Sequence, residues 1–232
     1  LLPIRDINPG RTVPLTTWLI IGITAAVFFF YQRPSEEFLY EKAAIPCEVT
    51  TGQALSAREI SGGPCSAGDG SAIFGSKSVL WSVMASVFFH GGLGHLLGNL
   101  WVLAIFGNNI EDRMGRLPYG LFYLVAGLVA AATHILAHPA STIPVVGASG
   151  AIAGVMGAYA VVFPGARVLS IVPPFFFAPF QMPAVVFLGI WFISQFFLAG
   201  TSTNIAWEAH VGGFIFGLLI ALLSRRRLLY RR

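Results

Sequence analysis

Charge is what this sequence has least of. Only 10% of its 232 residues are Asp, Glu, Lys or Arg, against about 25% in a soluble globular chain. Residues 13–31, 78–110, 117–166, 168–207 and 209–224 contain none at all. An ordinary soluble domain is thereby excluded, because its helices need polar outer faces. A membrane span needs about 20 apolar residues, so the chain reads as an integral membrane protein. Cysteine is also scarce: Cys47 and Cys65 are the only two, and neither sits in a catalytic thiol signature. The zinc-protease pattern H-E-x-x-H is missing, as is any internal repeat.

Turn signals divide the uncharged runs. "HPASTIP" (138–144), "FPGAR" (163–167), "VPPFFFAP" (172–179) and "AGTSTN" (199–204) separate helices near 13–31, 93–110, 117–137, 147–163, 181–199 and 206–224. The expected architecture is all-α: one domain over 1–232 made of six transmembrane helices. Its first helix is an anchor, since its apolar run is longer than a signal peptide's and no cleavage pattern follows. If both termini are cytoplasmic, ten of the basic residues lie inside and four outside (Arg33, Lys42, Arg58 and Lys77). The positive-inside rule therefore orients both ends inward, with a basic tail at 225–232, as in a bacterial cytoplasmic membrane. A net charge of +4 follows from this topology and from anionic lipid, without a nucleic-acid partner.

The extracytoplasmic loop, about 32–78, holds both cysteines on the oxidising side. A disulfide and two free thiols both fit.

Polar residues inside the spans carry the chemistry. The stretch "VVGASGAIAG" places Ser149 among Gly147, Gly150 and Gly154. It admits two readings: packing filler between close helices, or a nucleophile. Depth separates them. About 22 Å of helix lie between Ser149 and Pro164, about 22 Å between His210 and Arg225, and about 24 Å between His95 and Glu111. Since the hydrocarbon layer is about 30 Å thick, all three residues lie roughly 8 Å below its outer edge. Asn99 stands one turn deeper on the His95 face. Gly150 and Gly154 match Gly213 and Gly217 as two small-xxx-small faces, and packing them brings His210 to Ser149.

Serine needs an adjacent base, and His210 can supply it. The Ser149 N–H, Asn99 and His95 are the candidate oxyanion donors. Glu208, two positions from His210, lies on another helical face, so the sequence predicts a Ser/His dyad with no third member. Gln195 and the aromatics of 175–197 read as packing and lipid-facing surface. His90 reads as structural or interfacial. His134 and His138 have the spacing of a metal pair, but no carboxylate is near them in sequence, so they read as interfacial. Glu111, Asp112 and Arg113 read as closing the second helix.

These elements resemble the rhomboid intramembrane serine proteases: "HGGLGHLLGN", "GASG" and "AHVGG", with softer matches at "PIRDINP", "FGNNIEDRMG" and "AYAVVFPGARV". The resemblance covers the whole chain. It implies Ser149 as nucleophile, His210 as general base, and Asn99, His95 and the Ser149 amide as oxyanion hole, without metal, nucleotide or other cofactor. The depth of Ser149 adds the expectation of transmembrane protein substrates within the bilayer, cut near the extracytoplasmic side. Two positions depart from the family pattern: Ala153 stands where an aromatic often supports the histidine, and Trp81-Ser82 where Trp-Arg is frequent. The rival reading is an inactive rhomboid-like protein that binds membrane helices for trafficking or quality control. For a protease, the fifth helix and the "AGTSTN" loop are the candidate lateral gate.

Overall fold

The most apolar-packed helix is one of the shorter ones, and the others are arranged around it. A computed structural model describes residues 2–8, 10–33, 35–66, 71–172, 175–197 and 205–230. Six helical segments stand out by length: α1 (Leu15–Ala26, continued by a π-helical turn to Tyr31), α6 (Leu93–Met114), α7 (Arg116–Ala137), α8 (Ser149–Val162), α9 (Ala184–Phe196) and α10 (Trp207–Leu223). Four short helices fall between α1 and α6: α2 (Glu36–Lys42), α3 (Pro46–Thr51), α4 (Ala57–Ile60) and α5 (Val79–Ser86). A last helix, α11, covers Arg225–Tyr230. By length and composition α7 can cross a membrane, and α1 with its π turn, α8, α9 and α10 are shorter apolar helices.

Helix α8 is 14 residues long, hence about 21 Å. Every residue from Gly150 to Tyr159 is buried. Its glycines explain how α10 comes so close. A Cβ on Gly213 would collide with the Gly150 carbonyl, one on Gly217 with the Gly154 carbonyl, and one on Gly157 with the Phe214 carbonyl. The two small-xxx-small faces therefore meet, and backbone touches backbone. Outward faces carry exposed Trp18, Leu19, Leu121, Ile193 and Leu219, an apolar exterior.

Acidic residues at the end of α6 do more than finish their own helix. The buried Glu111 carboxylate accepts the Thr16 N–H at 2.9 Å and both the N–H and the hydroxyl of Thr17 at 2.7 Å. Asp112 accepts the Arg11 N–H and the Thr12 hydroxyl just upstream. The start of α1, where Pro14 supplies no side-chain cap, is thus capped from a neighbouring helix by negative charge. Hydrogen bonds to a charged acceptor each contribute about 1.5–3 kcal/mol.

The all-α expectation misses a small antiparallel sheet in the order β1 (Leu2–Ile7), β2 (Arg167–Val172), β3 (Phe175–Pro183). Pro164, Pro173, Pro174 and Pro179 read as turns in sequence and Pro183 falls in the expected helix 181–199, yet Pro179 and Pro183 lie on the edge strand β3, where a missing N–H is tolerated. The central strand β2 buries Val168 and Ser170 completely. Strand β1 is pinned to the bundle by Asp6, whose Oδ2 accepts the Tyr159 hydroxyl at 2.8 Å and the Asn109 amide at 2.6 Å. Burial there raises the Asp6 carboxyl above its usual range.

The loop between α1 and α6 is a folded lobe. Cys47 and Cys65 are joined by a disulfide, which decides between the two alternatives left open by the sequence. Burial would raise the Glu59 carboxyl, but the N–H and hydroxyl groups of Ser56 and Ser66 donate to it and hold it below its usual range. The side chains of Lys77 and Glu48 form a buried ion pair. The lobe is fastened to the chain after α7 by bonds that include Cys47 N–H to Ser141 O at 2.9 Å, Val145 N–H to Ala44 O at 2.8 Å, and the Thr50 hydroxyl to Pro139 O at 2.8 Å.

Candidate active site

Ser149 is the first residue of α8, so its own N–H and those just after it have no acceptor in the helix. The preceding turn uses Gly147 at φ +127°, a conformation that L side chains rarely adopt. A Cβ at Gly147 would also stand 2.9 Å from the His95 imidazole. Glycine here lets His95 lie directly over the turn that presents Ser149. The Gly147 N–H donates to Ser86 O at 2.9 Å and fixes that turn against α5.

His210, on α10, approaches from the opposite side. Its Nε2 lies 2.8 Å from Ser149 Oγ, which the meeting of the two glycine faces makes possible. The other ring nitrogen, Nδ1, lies 2.7 Å from Gln195 Oε1. The direction of this bond can be worked out. Gln195 Nε2 donates to the Trp191 carbonyl at 3.0 Å, so Oε1 is the end facing the imidazole. An amide oxygen only accepts, hence Nδ1 carries the proton and Nε2 presents a lone pair to the serine hydroxyl.

Gln195 is therefore misread by the sequence reasoning as lipid-facing or packing surface. It is 4% exposed and touches the histidine. A signal was available: Gln195 stands seven residues after the buried Leu188, two helical turns along the same face of α9. The expectation that nothing orients His210 is corrected with it. Trp191 from the same helix places its ring 5.9 Å from the imidazole, while Ala153 is fully buried and offers no ring. The support that α8 lacks is supplied by α9. Glu208 does lie off this face, as its spacing implies, and bonds to His134 and His138 instead.

Asn99 and His95 both project from α6 toward the same end of the bundle. The buried Asn99 amide lies 2.9 Å from His90 Nε2, and His90 Nδ1 lies 3.3 Å from the Phe88 carbonyl. A carbonyl accepts, so His90 is protonated at Nδ1 and Nε2 receives an N–H from Asn99. His90 is held in turn by Gln32, which accepts its N–H at 3.0 Å and donates to its carbonyl. His90 is completely buried and stacks edge to face with His95 at 5.0 Å. These contacts fix the orientation of the Asn99 amide. One N–H of that amide remains for another acceptor.

A small cavity opens at Ser149, lined by Ala44, Val87, Gly127, Ala130 and Ala209 among others. Ile135 is the largest side chain of the lining.

The Rhomboid domain family matches residues 77–227, a span that includes Asn99, Ser149 and His210. The chain belongs to the rhomboid family. Rhomboids are membrane-embedded, which accounts for the apolar exterior. Three relatives show how far the likeness reaches. This rhomboid is 29% identical over 152 residues to Rhomboid protein 1, mitochondrial, of Saccharomyces cerevisiae, covering 60% of this chain and 40% of that one. It is 36% identical over 78 residues to RHOMBOID-like protein 6, mitochondrial, of Arabidopsis thaliana, covering 34% and 25%. RHOMBOID-like protein 5 of the same plant is 32% identical over 78 residues, again covering 34% and 25%. The rhomboid chain thus spans between a quarter and two-fifths of the length of these relatives.

Proposed function

We propose that this rhomboid is an intramembrane serine endopeptidase that cuts transmembrane segments of other proteins near the extracytoplasmic side. The single observation that carries the reading is the bonded chain from Gln195 through His210 to Ser149, with the imidazole proton on the far nitrogen. Ser149 Oγ attacks the scissile carbonyl carbon while its proton passes to His210 Nε2. The oxyanion takes hydrogen bonds from the Ser149 N–H, the remaining Asn99 N–H and His95. His210 then protonates the departing amine, and a water activated by the same nitrogen releases the acyl group. No step calls for a metal or another cofactor.

The six longest helical segments are read as six passes, with both termini cytoplasmic by the distribution of basic residues. The described residues stop short of 198–204, so the "AGTSTN" part of the gate lies outside them. The other part, α9, holds His210 through Gln195, and its outward displacement would loosen that bond. The small size of the cavity at Ser149 favours a small side chain next to the cut.

The test is to reconstitute the protein in liposomes with a single-span substrate carrying Gly or Pro near its outer end, and to map the cut by mass spectrometry. A cut within the outer third of the span is expected. Slower cleavage is expected once the helix breakers are replaced by Leu, because a helical peptide bond must first unwind. A cut at the cytoplasmic end, or no cut with any span, would contradict the reading.

Gln195 gives a sharper check. Gln195→Leu should lower kcat about 10- to 100-fold with KM unchanged, through loss of the correct tautomer and orientation. Gln195→Glu keeps an acceptor at Nδ1, so it should recover much of the rate and move the acidic limb of the pH–rate profile upward by stabilising the imidazolium. Equal rates in all three proteins would reduce Gln195 to packing.

A further inference from the structure

Three side chains outside the proposed reaction converge at one end of the bundle. His134 lies in the last turn of α7, His138 follows that helix as its C-cap, and Glu208 lies in the first turn of α10. The sequence sets no carboxylate beside the histidine pair; the fold does. Glu208 Oε2 is 3.1 Å from His134 Nδ1, and Oε1 is 2.6 Å from His138 Nε2. One potential ligand atom from each of the three residues lies within 4.8 Å of the others.

We propose that His134, His138 and Glu208 form a binding site for a divalent transition-metal ion, with zinc the best fit. Two imidazoles and one carboxylate are a donor set suited to zinc, cobalt, nickel or copper, and poorly suited to calcium or magnesium. Tetrahedral ligands at 2.0–2.1 Å stand ~3.4 Å apart. From separations of at most 4.8 Å, the widest pair therefore needs to close by no more than ~1.4 Å, and the hydrogen-bonded pairs open slightly as the ion replaces the bridging protons. His138 is about half exposed, so an ion can reach the site and a water can complete its coordination.

The ligands are held from both sides. Gly212 lies so close to α7 that a Cβ there would collide with Thr133, which fixes the spacing of α7 and α10 one turn from the site. The chain after His138 is tied to the disulfide lobe through Pro139 and Ser141. The site stands apart from Ser149 but shares the first turn of α10 with His210. Metal binding would therefore clamp the end of the helix that carries the proposed base. The binding proposal itself does not depend on proteolysis.

The experiment uses the full chain in detergent, free of any affinity tag, titrated with cobalt(II) as a spectroscopic probe and then with zinc. One equivalent of cobalt should produce the intense visible bands of a four-coordinate site, and zinc should displace it. Glu208→Gln and His138→Ala should each weaken binding by at least about 10-fold, while Gln keeps a hydrogen-bond acceptor toward the histidines. Zinc should raise the Tm of the unaltered protein and leave those of the variants unmoved. Cobalt spectra and affinity unchanged in both variants would overturn the proposal, as would failure of the unaltered protein to bind. Either result would leave the cluster a hydrogen-bonded clasp between α7 and α10. Cleavage by the Ser149 site can fail or succeed without altering any of these readouts.

Discussion

Replacing Ser149 or His210 by Ala is expected to reduce cleavage by at least about 10,000-fold, with the double variant scarcely worse than either single one. The two side chains act as one unit. Without the imidazole at 2.8 Å the serine hydroxyl has no acceptor for its proton, and without the hydroxyl the imidazole has no nucleophile to activate. Both variants should remain folded, because neither substitution fills space or removes a Gly contact at the α8–α10 crossing. Steady-state cleavage of a fluorogenic transmembrane substrate, with Tm measured on the same samples, checks the claim. A variant retaining more than about a tenth of the activity would refute the shared role.

Asn99→Ala is expected to lower kcat about 100- to 1,000-fold while leaving substrate binding nearly unchanged. His90 accepts one Asn99 N–H because its own Nδ1 proton points to the Phe88 carbonyl, and the second N–H is left to meet developing negative charge. Such a bond is worth up to roughly 4 kcal/mol in the transition state, and little in the ground state. Measurement of kcat and KM separately decides the matter. A rise in KM at constant kcat would assign Asn99 to helix packing.

Helices were legible in this sequence because membrane spans obey a coarse rule: they exclude charge over about 20 residues and stop at turn formers. The pairing of Ser149 with His210 was legible for a related reason. Glycines at 150, 154, 213 and 217 can be matched only by bringing two backbones together, and that contact sets the register of everything on the same faces. Polar partners off those faces were harder to read. Gln195 acts across an α9–α10 contact whose rotation no glycine stripe specifies. Glu208 was placed correctly away from His210, but what it faced instead depended on the packing of α7 against α10. The sheet was hidden by prolines, which signal turns and edge strands alike. The disulfide was undecidable in principle, since cysteine spacing does not fix the distance between two loop residues.

The central claim is that Ser149 is an activated nucleophile. It is tested most directly by treating the purified protein with a fluorophosphonate probe and locating the label by mass spectrometry. The account predicts one adduct per chain, on Ser149, and none in Ser149→Ala under the same conditions. No adduct on the folded, unaltered protein, or equal labelling of the two proteins, would contradict it and favour a rhomboid-like chain that binds membrane helices without cutting them.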